Sequence, residues 1–236
     1  MKPQIAVVDA SVGDTPAERN LTREIDAETV VYKASDCELP PVSAVREQPF
    51  AGVVISGSQT SVYDDREWIN ELTAWARGLR RADVPMLGIC WGHQFLAQAF
   101  GGRIVDMGEY EIGYREIDHR GESRLFDGIE TPMTAFETHS DRVAELPAGA
   151  IELARNEYGI QAFRLGASYG VQFHPEYDRE TAERILESKQ LDDETHRDAA
   201  ATITDDAVDA ARDTATMFDN FVDVVNRHTR QPSQPW

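Results

Sequence analysis

Apolar residues along the chain fall into short runs, each followed by positions that recur at helical spacing. Ile5 to Val8 is the first run, the Asp14-Thr15-Pro16 helix-start signal follows, and Val30 to Tyr32 is the second. Gly52-Val53-Val54-Ile55 then leads into a polar loop from Ser56 to Asp65, after which Trp68, Leu72, Trp75 and Leu79 mark one helical face. Val84-Pro85 turns the chain into Met86-Leu87-Gly88-Ile89, a fourth buried strand, and a helix carrying Phe95, Leu96 and Ala99 ends at Gly101-Gly102. Strands alternating with helices predict an α/β fold with a mostly parallel central sheet flanked by helices.

Beyond Gly102 the texture changes to short strand-like pieces: Arg103 to Met107, Ile112 to Ile117, Met133 to Phe136, Ile151 to Ala154, Ile160 to Leu165 and Tyr169 to Phe173. Some of them are expected to form a small antiparallel extension. Thr181 to Leu191 reads as a helix and Asp192 to Arg197 as a charged break. Thr204-Asp205 can cap an additional C-terminal helix whose Ala211, Ala215, Phe218, Val222 and Val225 form one apolar stripe, packed on the body or against a partner. The tail Gln231 to Trp236, with two prolines, reads as loose. The expected division is one domain over residues 1–191, with a helical extension and tail over 192–236.

Composition narrows the class. At 236 residues with 41% hydrophobic positions, the chain can close a core, which excludes wholesale disorder. No apolar run reaches the roughly 18 residues of a membrane span, and Met1 to Asp9 lacks a secretory signal, so the expectation is a cytoplasmic protein with no membrane partner. The balance of 42 acidic against 23 basic residues gives a net charge of −19, which disfavours nucleic acid. Lys2, Lys33 and Lys189 are the only lysines. That pattern resembles proteins of salt-loving organisms, with an ordinary acidic enzyme as the alternative.

Cys37 and Cys90 are too few for a disulfide framework, so each is weighed as a nucleophile. Cys37 has acidic neighbours that disfavour a thiolate and reads as inert. Cys90, in Gly88-Ile89-Cys90-Trp91-Gly92-His93-Gln94, sits where a strand meets a helix, the geometry of a nucleophile elbow. There the helix dipole favours the thiolate and helix N–H groups can receive an oxyanion. The same pattern also suits a buried cysteine that ends a core strand. A thiolate attacking an amide needs an imidazole, and the imidazole a carboxylate; Val171-Gln172-Phe173-His174-Pro175-Glu176 offers both at a strand end. His93 and His139 lack further histidine or cysteine at ligand spacing, so no metal is expected. No phosphate-binding G-x-x-x-x-G-K-[ST] loop occurs, which argues against an ATP-using synthetase on this chain.

Together, GICWGHQ and GVQFHPE resemble the class I glutamine amidotransferase family. Ile55-Ser56-Gly57-Ser58-Gln59-Thr60-Ser61-Val62-Tyr63-Asp64 is similar to its oxyanion loop, and Thr138-His139-Ser140-Asp141 to its segment near the glutamine pocket. Coverage runs from about Ile5 to about Leu191, and Ser61-Val62-Tyr63-Asp64, Gly92-His93-Gln94 and His139-Ser140-Asp141 resemble the amidotransferase subunits of GMP synthetases. The resemblance implies a flavodoxin-like fold and no cofactor. It implies a glutaminase in which Cys90 forms a glutamyl thioester, His174 moves protons and Glu176 orients the imidazole. Ser58 and Trp91 N–H groups would make the oxyanion hole, and Gly57, Gln94, His139, Ser140 and Asp141 would contact L-glutamine. The ammonia would pass to a synthetase subunit in trans, acting on xanthosine monophosphate if the GMP synthetase likeness is close, with an uncharacterised partner as an equal alternative.

One departure stands out: Gly57-Ser58-Gln59 replaces the family's usual Gly-Gly-Pro. If Ser58 had to adopt positive φ, the strain would be of order 1 kcal/mol. Two other readings use the same sheet. One is a γ-glutamyl peptide hydrolase with the same cysteine and histidine, and the other a catalytically silent relative that binds or regulates another protein.

Overall fold

Strand β1 (Gln4–Asp9) sends Ile5 and Val7 to one apolar cluster and Ala6 and Val8 to another, all of them fully buried, so it must be covered on both faces. The computed structural model, which describes residues 2–13, 16–39, 50–120 and 123–230, shows how. After β1 come helix α1 (Ala17–Glu24), strand β2 (Glu28–Lys33), strand β3 (Gly52–Ile55), helix α2 (Glu67–Arg81), strand β4 (Met86–Ile89) and helix α3 (Trp91–Ala99). Strands β5 (Arg103–His119), β6 (Met133–Glu145), β7 (Ile151–Asn156), β8 (Gly159–Leu165) and β9 (Ser168–Val171) follow. Helices α4 (Arg179–Ser188), α5 (Asp193–Ala201), α6 (Asp205–Ala211) and α7 (Thr216–Arg230) close the described chain.

The strands make one nine-stranded mixed sheet in the order β2-β1-β3-β4-β9-β8-β7-β5-β6. The first five are parallel, as the alternation of strands and helices predicts, and the pairings from β9 outward are antiparallel. Leu21 of α1 and Phe218, Phe221 and Val225 of α7 cover the Ile5/Val7 face, while Trp75 of α2 and Phe95 of α3 cover the Ala6/Val8 face. A third cluster seats α4, α5 and α6 on Ile112, Tyr114 and Phe136 of the antiparallel part.

The details differ from the sequence pattern in three places. Arg103 to Met107 and Ile112 to Ile117 belong to one strand, because the polar residues between them are carried through β5 as a register irregularity opposite β6, with Gly108 at φ +74°. The charged stretch from Asp192 to Arg197 is helical: Asp192 caps α5 by accepting from the N–H groups of Glu194 (3.0 Å) and Thr195 (2.9 Å). The C-terminal stripe is split, with Ala211 ending α6, Ala215 in a 3₁₀ turn, and Phe218, Val222 and Val225 on α7. Thr204 caps α6 as its sequence suggests. Asp14, Thr15 and the tail after Arg230 lie outside the described residues.

Helix α7 is therefore core. Its Val225 packs on Gly52 so closely that a β-carbon there would lie 2.6 Å from the valine Cγ2. No helix among the described residues is long and apolar enough to cross a membrane. Truncating the fully buried Phe218 to alanine is expected to cost about 3–5 kcal/mol of stability, measured by denaturant unfolding; a loss under about 1 kcal/mol would detach α7 from the core.

Candidate active site

The carboxyl ends of β1, β3, β4 and β9 all open onto one crevice, the usual position for a ligand in an open α/β sheet. Cys90 follows β4 directly and has φ +52° and ψ −104°, a conformation that costs a non-glycine residue of order 1–3 kcal/mol. Its neighbours hold it there. The Cys90 N–H donates to Val171 O at 2.8 Å, tying the elbow to β9. The first turn of α3 is pressed onto β4 and β3: a β-carbon at Gly88 would lie 2.2 Å from Gly92 O, and one at Gly92 would lie 2.5 Å from Ile55 O. Only glycine fits either position, so the two glycines that flank the cysteine are what permit the sharp turn.

His174 reaches Cys90 from β9. Its N–H donates to Phe136 O at 2.9 Å, so the antiparallel part of the sheet fixes its backbone. Its Nδ1 meets Glu176 Oε1 at 2.7 Å, and the Tyr177 ring stacks on the imidazole with centroids 4.0 Å apart. Burial, the largest influence, lowers the His174 pKa, yet Glu176 and Cys90 together outweigh it and push it up to about 10. Tyr177 is held well above its ordinary value by burial and by the same two neighbours, so it stays a neutral phenol. A methyl group on Gly57 would lie 3.1 Å from His174 Cε1, close enough that the imidazole would have to give way by a few tenths of an ångström.

Ser58, Cys90 and Trp91 line one narrow arm of the crevice, of about 80 Å³, together with Gln94, Ser140 and Asp141. Ser58 does not adopt positive φ, so the departure at Gly57-Ser58-Gln59 carries none of the strain considered above. Gln59 instead accepts from the Val12 N–H at 2.9 Å, and so ties the loop after β3 to the loop after β1. Lys33 braces that second loop from below, donating to Asp9 Oδ2 (2.7 Å) and Ser11 Oγ (2.9 Å).

The residues expected near the substrate divide into two groups. Gly57, Gln94 and Ser140 line the crevice. Gln94 Nε2 is spent on Asp141 O (2.8 Å) and Gln172 Oε1 (3.1 Å), which leaves its carbonyl oxygen as the group it can offer. Asp141 and His139 also border the narrow arm, but their polar atoms are engaged elsewhere. The Asp141 carboxylate accepts from Ser61 Oγ (2.7 Å) and Tyr63 Oη (2.9 Å), which pins the loop that carries Ser58. The His139 imidazole points into the core: Nδ1 contacts Asp141 O at 2.9 Å, and Nε2 contacts Glu111 Oε2 at 2.9 Å and Glu137 Oε2 at 3.2 Å.

Sequence reasoning passed over Glu111 and Glu137, although both are fully buried. Charged residues in strand-like stretches read as solvent-facing, and no spacing rule links positions 111, 137 and 139; only the pairing of Glu111 with His139 across β5 and β6 does. Their donor atoms lie within 4.8 Å of one another, a spacing that could also hold a cation. As they stand, the His139 imidazole lies between the two carboxyl groups. Burial lowers the His139 pKa, but hydrogen bonds to Glu111 and Glu137 more than reverse that and raise it to about 10. Burial, with Glu111 adding repulsion, raises Glu137 to about 7. The other histidine beside the motif, His93, is buried against Phe163, and burial lowers it to about 3. Cys37 is exposed, with its pKa raised by desolvation and by Glu71.

The family model described as glutamine amidotransferase class-I matches residues 7–192. The glutamine-hydrolysing GMP synthase of Azoarcus sp. is 36% identical over 155 residues, which are 59% of this chain and 29% of that protein. That of Vibrio campbellii is 33% identical over 135 residues, covering 56% and 25%. The match thus spans less than a third of these relatives. Among solved structures, a glutamine amidotransferase of Methylobacillus flagellatus aligns over 96% of this chain and 95% of its own, with a TM-score of 0.78 and 21% identity. One from Thermotoga maritima aligns over 94% and 99%, with a TM-score of 0.77 and 19% identity. At those identities the likeness is one of fold.

Two outcomes follow from the geometry. Gly57→Ala should displace the imidazole, lowering any Cys90-dependent turnover at least about 10-fold with little change in melting temperature; full turnover would mean the imidazole has room to spare. Glu137 is raised from 4.5 to about 7, so its contribution to stability is complete below about pH 4.5 and is lost as pH rises through 7. In Glu137→Gln that decline should disappear from melting temperatures measured between pH 5 and 8, and an unchanged slope would assign the titration elsewhere.

Proposed function

The chain belongs to the class I glutamine amidotransferase family, and from that membership we propose that it hydrolyses the side-chain carboxamide of L-glutamine to glutamate and ammonia. The observation that carries this reading is the strained elbow that presents Cys90 to an imidazole already gripped by Glu176 and stacked on Tyr177. Because Nδ1 faces the carboxylate, Nε2 is the nitrogen left for the thiol and the substrate.

In the proposed reaction, Cys90 Sγ attacks the amide carbon while His174 holds the thiol proton as an imidazolium. The developing oxyanion is received by the N–H groups of Ser58 and Trp91, each donor worth roughly 3 kcal/mol of barrier by comparison with other acyl-transfer sites. His174 gives its proton to the departing nitrogen, the C–N bond breaks, and ammonia leaves a glutamyl thioester on Cys90. His174 then takes a proton from water, hydroxide adds to the thioester carbonyl, and the C–S bond breaks to release glutamate. Glu176 keeps the imidazole in one tautomer and orientation throughout. No cofactor takes part.

From the likeness to the GMP synthases, the proposed ammonia acceptor is an ATP-dependent synthetase activity, with xanthosine monophosphate as its substrate if that likeness is close and a different acceptor otherwise. A second reading draws on the shape of the crevice. The arm on the His174 side, where the nitrogen departs, has a volume of about 380 Å³, against roughly 30 Å³ for a molecule the size of water. That room suits a γ-glutamyl amide of a larger amine, and comparing ammonia release from glutamine with amine release from γ-glutamyl amines separates the two.

Cys90→Ala is expected to abolish ammonia release from glutamine while leaving the unfolding transition in place, and release persisting in that variant would remove Cys90 from the mechanism. Glu176→Gln should lower kcat by roughly 100-fold or more.

A further inference from the structure

We propose that Lys189 is the residue that recognises the α-carboxylate of the amino-acid substrate. This rests on the glutaminase reading, and it adds a specificity determinant that lies outside both catalytic motifs.

The observation is a cation out of keeping with its surroundings. The chain has 42 acidic residues and only three lysines. Lys2 pairs with Asp26, and Lys33 is spent on Asp9 and Ser11. Among the described residues Lys189 has no ion pair, yet it lines both arms of the catalytic crevice and is the only lysine or arginine of those described that lines either one. It caps the C-terminus of α4, and its Nζ lies 5.6 Å from the centroid of the Tyr110 ring, itself part of the wall of both arms. Lys189 and Tyr110 thus share the rim where the two arms join beside Cys90.

Charge explains why a cation is needed there. Asp141 and Glu176 border the crevice, the carboxylates of Glu111 and Glu137 lie behind it, and the whole chain is strongly negative. An approaching carboxylate meets a repulsive field. The nearby arginine Arg23 is committed to Glu24, Asp178 and the Glu176 carbonyl, so it offers no relief. With the side-chain carboxamide at Cys90, the opposite end of glutamine carries an ammonium and a carboxylate. A half-buried lysine on the rim can give the carboxylate a charge-assisted hydrogen bond while the anionic walls favour the ammonium. The position of Lys189 at a helix C-terminus explains a favourable dipole but does not require the side chain to border the catalytic crevice.

The test compares L-glutamine with L-glutaminamide, which lacks only the α-carboxylate charge, in the wild-type chain, Lys189→Met and Lys189→Arg. Methionine keeps an unbranched stem against Tyr110, so packing is preserved and charge is removed. In Lys189→Met, KM for glutamine should rise at least about 10-fold while KM for glutaminamide changes less than twofold, so the preference for glutamine collapses; Lys189→Arg should restore most of it. Unchanged discrimination between the two substrates in Lys189→Met would overturn the proposal. If the wild-type chain releases ammonia from neither substrate, the glutaminase reading fails, and calorimetric binding of L-glutamate against its α-amide decides the lysine separately. A preference for L-glutamate that vanishes in Lys189→Met supports Lys189, and equal binding in the wild type rejects it.

Discussion

The contact of backbone on backbone beneath Cys90 is the constraint on which the site depends. Gly88 and Gly92 let the first turn of α3 press against β4 and β3 more closely than any side chain would allow, and the chain between them is forced through positive φ at the cysteine. The unfavourable conformation is paid for by the parallel sheet, whose Val171 carbonyl holds the Cys90 N–H. A sulfur placed this way stands at the amino end of a helix, at the carboxyl edge of the sheet, with its side chain facing the crevice.

The seam where the parallel and antiparallel parts of the sheet meet supplies the other half of the site. β9 delivers His174, β6 fixes it through the Phe136 carbonyl, and the Thr138 to Asp141 segment of the same strand forms the wall across from the loop after β3. That wall is braced from two directions. Asp141 holds Ser61 and Tyr63 of the loop, and His139 anchors the strand to the buried carboxylates of Glu111 and Glu137. Geometry at the crevice therefore depends on buried charge behind it as much as on the residues that face it.

The parallel half of the sheet and the meeting of Cys90 with His174 were legible in the sequence because each rests on a local rule: apolar runs for buried strands, glycines around a cysteine for the elbow, and histidine with a carboxylate two residues on. What it concealed depends on pairing between distant segments. Glu137 reads as an ordinary polar position until β5 places Glu111 beside His139. The grip of Asp141 on Ser61 and Tyr63 is invisible until the loop after β3 folds onto it. Asp192 illustrates a different failure, since a dense run of charge masked a capped helix whose only buried residue is Ala199. Lys189 gave no signal of its own; its scarcity became meaningful only when the fold set it on the rim of the crevice.

The chain contains its own control for the central claim, because Cys37 is an exposed thiol and Cys90 a buried one. Treated with a limiting amount of a glutamine-like chloroketone and mapped by peptide mass spectrometry, the protein should be modified at Cys90 well before Cys37, and added L-glutamine should suppress that modification selectively. Preferential labelling of Cys37, or labelling of Cys90 no faster than a free thiol and unaffected by glutamine, would contradict the account.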